Sequence, residues 1–116
     1  MLLHNTLALD PSGAGEVLGL AHQILFRRQP VPPDETFTQR KHRDRESRIW
    51  GQSVEAVGSP PAGSQWVHVC DRGADNFEML EACRETQVDF VIRMAQNRRC
   101  VAGHDLNEAQ PVHLVE

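Results

Sequence analysis

Apolar positions fall into separate groups along the chain, and their spacing predicts the elements. Leu2 to Leu9 (Leu-Leu-His-Asn-Thr-Leu-Ala-Leu) reads as a strand. Asp10-Pro11-Ser12-Gly13 is turn chemistry, because Pro presets φ and Gly accepts a positive φ. Glu16 to Phe26 is apolar again, with Gly19 inside it, and predicts the returning strand of an antiparallel hairpin. Residues 27 to 44 are polar and interrupted by Pro30, Pro32 and Pro33, which predicts a loop. Ile49, Trp50, Val54 and Val57 recur at helical spacing and predict a helix over 44–57, ended by the Gly58 to Gly63 turn.

Trp66 to Cys70 is a short apolar run broken only by His68, the pattern of a buried parallel-type strand. Asp75-Asn76-Phe77-Glu78 has capping-box spacing, with Asp75 in the place of the usual Ser or Thr. Phe77, Met79, Leu80 and Cys83 give the following helix an apolar face that runs to about Thr86. Val88 to Met94 predicts the next strand, and a weakly patterned tail runs to Glu116. No internal repeat or low-complexity segment is present. The order is hairpin, helix, strand, helix, strand. Residues 66–94 therefore predict a right-handed strand–helix–strand crossover with a parallel pair. One α/β domain with a mixed sheet and flanking helices is the economical architecture for 116 residues.

Charge refines this picture. The net charge of −4 argues against a protein that coats nucleic acid by charge alone. Yet seven of the 12 basic residues (Arg27, Arg28, Arg40, Lys41, Arg43, Arg45 and Arg48) lie between positions 27 and 48. That window could track phosphates or be a solvated surface. The three cysteines, Cys70, Cys83 and Cys100, do not form a disulfide framework. No apolar run approaches the roughly 18 residues of a membrane span, and the start lacks a signal-peptide pattern, so a cytoplasmic location is expected. His68, Cys70, Cys83, Cys100 and His104 contain no Cys-x-x-Cys pair and do not read as a zinc site. Gly13-Ala14-Gly15 with Gly19 misses the dinucleotide-binding spacing by one residue.

The candidate chemistry is at Asp71, where the Trp66–Cys70 run ends. In open α/β sheets ligands gather beyond the carboxyl ends of strands, and a carboxylate held there suits a magnesium ion. Asp is equally at home in such a turn, accepting backbone N–H bonds. Position alone leaves both roles open.

Several stretches together resemble the insertion-sequence DDE transposases, in the subgroup with a β-rich insertion before the final Glu. WVHVCDRGAD is similar to the strand and turn around that family's second catalytic Asp, usually followed by Arg-Glu-Ala-Asp; here Gly73 replaces the Glu. HNTLALDPSGAGEVLGLAHQILFRR resembles its second and third strands, RESRIW its Glu-Ser-x-x-Trp helix start, and DFVIRMAQNRR its next strand. The resemblance covers about residues 2 to 99 and leaves 100–116 unassigned.

The resemblance implies an RNase H-like fold and an Asp-Asp-Glu triad that holds two divalent metals, normally Mg2+, for in-line attack on DNA phosphodiesters. Asp71 would be one catalytic metal ligand. Arg93, Arg98 and Arg99 would contact transposon-end DNA in a bacterial cytoplasmic protein capable of self-association. The first Asp belongs on a strand before the hairpin, and the Glu on a helix well beyond residue 99. Neither has a match; Asp10 corresponds to the turn after the second strand, and Glu108 and Glu116 lack the surrounding motif. The expectation is thus a transposase catalytic domain truncated at both ends and inactive alone. A non-enzymatic DNA-binding or transposase-interfering module, or a decayed gene product, is the alternative.

Overall fold

The computed structural model describes residues 1–42, 45–95 and 97. It begins with an antiparallel hairpin of β1 (Leu2–Asp10) and β2 (Glu16–Phe26). Asp10 Oδ1 accepts from the Ser12 amide at 2.8 Å and closes the start of the turn, where Gly13 and Gly15 take positive φ. Two register shifts make Ala21 and Leu18 surplus to the pairing, so β2 carries two bulges and β1 none.

Within the expected loop a short helix, α1 (Phe37–His42), appears. Its start is a reciprocal cap: Gln39 N–H donates to Thr36 Oγ1 at 3.2 Å, and Thr36 N–H donates to Gln39 Oε1 at 2.9 Å. The expected 44–57 helix is two pieces, a 3-10 turn over Glu46–Arg48 and α2 (Ile49–Val57). Gly58, at φ 82°, stops α2 and donates its N–H to Val54 O at 2.9 Å.

The second unit is β3 (Val67–Cys70), a 3-10 turn over Arg72–Ala74, α3 (Phe77–Thr86) and β4 (Asp89–Ile92). β3 and β4 pair in parallel, Val67 opposite Asp89 and Cys70 opposite Ile92. The N-cap of α3 is Asn76, one residue later than the sequence predicts, because Asn76 Oδ1 accepts from Met79 N–H at 2.9 Å. Asp75 is drawn off instead to Ala95, whose N–H reaches its Oδ2 at 2.6 Å. Gln87 ends α3 in the left-handed conformation, φ 57°, and Val88 N–H returns to Cys83 O at 3.0 Å.

The core lies between α2, α3 and the β3–β4 pair. Val54, Ala74, Met79, Ala82, Cys83 and Val88 are buried there, with Trp50, Trp66, Cys70 and Ile92 packed against them. Gly51 lets α2 approach α3 closely: a Cβ there would sit 3.0 Å from Glu78 O. Arg45 Nη2 to Glu78 Oε1 at 2.6 Å and Asn76 Nδ2 to Ser47 O at 3.1 Å tie the lead-in of α2 to the start of α3. α2 also packs against β2, which joins the hairpin to the rest.

The fold is mixed α/β, but the described strands form two separate two-stranded sheets rather than one mixed sheet. Among the described residues no strand bridges the free edges of β1 and β3. The expected burial of Trp66–Cys70 on both faces also needs correcting. His68 and Cys70 turn toward the helices, whereas Val67 and Val69 are 49% and 76% exposed, because nothing described covers that face.

Candidate functional site

Asp71 follows the last residue of β3 and is exposed. Its Oδ1 accepts the Gly73 N–H at 2.8 Å and caps the 3-10 turn. The turn role foreseen for this carboxylate is therefore present. The strand-end position is present as well, so the side chain is held by its own turn at the carboxyl end of a parallel pair.

Arg93 lies next to it. The Arg93 N–H donates to Cys70 O at 3.2 Å, which extends the parallel ladder by one step beyond Ile92. Asp71 and Arg93 thus leave the ends of adjacent strands, and both are exposed. The bond from Ala95 to buried Asp75 folds the segment after Arg93 back onto the turn after Asp71. Arg98 and Arg99, the other expected DNA contacts, lie outside the described residues.

The neighbourhood of Asp71 includes two residues that sequence reasoning did not assign to it. A Cβ on Gly73 would stand 3.0 Å from Trp50 Cζ2 and Nε1 and 3.1 Å from Asp71 Oδ1. The indole therefore fills the space that a side chain at Gly73 would need. This is a packing reason for Gly at position 73. Trp50 in turn meets His4 of β1 edge to face, with centroids 4.6 Å apart. The signal for this cluster was in the chain as three separate motif fragments, but no local pattern says that they converge.

Burial holds the His4 imidazole below its usual pKa, against the opposing pull of the Asp71 carboxylate, while His22 adds to the lowering. Burial likewise lowers His68. The Cys70 thiol is pushed up to about 11 by burial, with Cys83 and Asp71 adding to the effect. Cys70 is thus poorly suited to nucleophilic work, and it packs as a core neighbour together with His68.

The basic window is partly neutralised. Arg28 pairs with Glu46 and Arg45 with Glu78, both at 2.6 Å, whereas Arg27 and Arg40 stand exposed. Arg43 lies outside the described residues. Two surface depressions, one lined by Pro32, Pro33, Asp34, Glu35 and Gln39 and the other by Phe77, Leu80, Glu81 and Arg84, involve neither Asp71 nor Arg93.

A metal centre fits these residues poorly. Among the described residues no three His, Cys, Asp or Glu side chains converge to hold a metal ion. One exposed carboxylate with one oxygen engaged in a turn is a single hard ligand, whereas paired metals need several carboxylates to neutralise them. No helix among the described residues is long and apolar enough to cross a membrane. No family model matches the chain, and neither a curated protein nor a solved structure matches it.

Proposed function

We propose that residues 2 to 99 are the middle of an RNase H-like catalytic domain of a DDE transposase, and that Asp71 is one of its catalytic acids. The observation that carries this reading is the place of Asp71: exposed, braced by its own turn, at the end of a parallel strand and one ladder step from Arg93. The hairpin followed by β3–α3–β4 supports it, as does the separation of β1 from β3. In an RNase H-like sheet one further strand, ending in the first Asp, would stand between them.

In this reading Arg93 contacts a DNA phosphate beside Asp71, a pairing for which Arg is well suited. Arg98 and Arg99 extend the same basic segment. Mg2+ belongs to the assembled triad. Among the described residues Asp71 is the acid that this reading assigns to that triad.

The test is to translate the genomic DNA on both sides of this coding region in every frame. An apolar strand ending in Asp upstream, and a Glu-bearing helix downstream, are expected. Finding neither overturns the reading.

A second reading is favoured by the edge of β1 that no described strand pairs: a non-enzymatic module that associates with intact transposase and poisons it. Co-expression with an active transposase should then lower transposition frequency, and an unchanged frequency removes this alternative.

A further inference from the structure

Residues 27–33, Arg-Arg-Gln-Pro-Val-Pro-Pro, connect β2 to the turn before α1, and neither the core nor the candidate site uses them. All of them are exposed, Val31 at 63%. From Gln29 to Pro33 every residue is a proline or precedes one. Proline fixes its φ at about −65°, and the residue before it is pushed out of the helical region toward extended backbone. The local sequence therefore favours polyproline II, which needs no internal hydrogen bonds and is largely preformed before a partner arrives. Pro32 O accepts the Glu35 N–H at 3.2 Å, so the run ends in a turn with Pro33 at its second position, a place that proline suits.

Polyproline II has about three residues per turn, which lines up Arg27, Pro30 and Pro33 along one edge. Arg28 and Val31 fall on another. Arg28 is tied down: its Nε and Nη2 donate to Glu46 Oε2 at 2.9 and 2.6 Å. The segment is thus anchored to the lead-in of α2 by a residue off the edge that carries Arg27 and the two prolines. Asp34 and Glu35 follow Pro33, so the segment is positive at the Arg27 end and negative at the other. That polarity fixes the direction in which an acidic-ended groove would receive it.

We propose that residues 27–33 are a docking motif for an SH3-type domain of a partner protein. Pro30 and Pro33 pack on the aromatic side chains that line such a groove, and Arg27 pairs with a carboxylate at its end. The order Arg-x-x-Pro-x-x-Pro supplies both kinds of contact at the spacing of the helix. Proline motifs that depend on a tyrosine are not available to this chain, which has no Tyr. The contact uses no residue of the Asp71 site.

Isothermal titration calorimetry of the 116-residue chain against a purified SH3 domain that takes Arg-x-x-Pro-x-x-Pro peptides tests it. Circular dichroism confirms that each variant keeps its fold. One-to-one binding is expected. Arg27→Ala and Pro30→Ala should each weaken it about tenfold or more, the size of one lost hydrogen bond to a charged group. Arg40→Ala, an exposed change in the same basic window but outside the motif, should leave the affinity unchanged. No binding by the wild type would overturn the proposal, as would an unchanged affinity in Pro30→Ala. Equal weakening by Arg27→Ala and Arg40→Ala would also overturn it, because attraction by charge alone would then explain the binding. None of these results touches the transposase reading, which the flanking DNA decides.

Discussion

The rings of His4 and Trp50 meet edge to face, 4.6 Å between centroids and 81° between planes. This contact joins the start of β1 to α2. Because the same indole lies against Gly73, it also links the hairpin to the turn that Asp71 caps. Trp50 is therefore half core residue and half support for the candidate site.

Protonation should weaken this arrangement. Burial lowers His4 and His68 below the ordinary imidazole value of 6.5, so the unfolded chain binds protons more readily than the folded one. Stability is then greatest above pH 6.5 and falls as the pH drops through 6.5 toward the lowered folded values. Urea midpoints measured at pH 7.5 and 5.5 should show a lower midpoint at the acid pH. Substituting His68→Gln should reduce the difference.

Gly73→Ala tests the packing of Trp50. The added Cβ would lie 3.0 Å from the indole, so the ring must give way. A loss of about 1–3 kcal/mol is expected, typical of overpacking, with a shift in tryptophan emission. Unchanged emission would show that the indole does not depend on the missing side chain.

The two roles of Asp71 can be separated by substitution. Asp71→Asn keeps an oxygen for the Gly73 N–H and removes the charge, while Asp71→Ala removes both. The Ala variant should lose about 0.5–2 kcal/mol, as for a lost cap, and the Asn variant little. On the proposed reading, both should abolish cleavage in a completed protein. Activity retained by the Asn variant would leave Asp71 as a turn residue only.

Asp75 holds the segment that follows Arg93. Its Oδ2 accepts from Ala95 N–H at 2.6 Å, and the residue is buried. Asp75→Ala should cost about 1–3 kcal/mol by removing a hydrogen bond to a buried carboxylate. Hydrogen exchange should show faster exchange of the Ala95 amide than in the wild type.

Cys70, with a thiol pushed up to about 11, should resist alkylation at pH 8 in the folded chain. Mass spectrometry after iodoacetamide treatment of a Cys100→Ser variant should find Cys70 and Cys83 unmodified until denaturant is added. Rapid native labelling of Cys70 would contradict its packing against the core.

Local chemistry made much of this structure legible in the sequence. The Asp10 to Gly13 turn, the α3 face of Met79 and Cys83, and the Gly58 stop each depend on residues within a few positions of one another. The same is true of the turn role of Asp71, since its partner, Gly73, is two residues away. α1 was legible too, because Thr36 and Gln39 form a capping box, but the three prolines ahead of it outweighed that signal. The choice of Asn76 over Asp75 as cap was not local: Asp75 is claimed by Ala95, 20 positions later.

Long-range arrangement was decided only in three dimensions. Whether the four described strands make one sheet depends on edges that periodicity cannot describe, and here β1 and β3 stay apart. The exposure of Val67 and Val69 has the same origin, because alternation shows which face a residue takes but not whether anything covers it. The meeting of His4, Trp50, Gly73 and Asp71 spans most of the described chain. Residue types and spacing determined the elements; packing between distant elements determined which side chains share the end of β3.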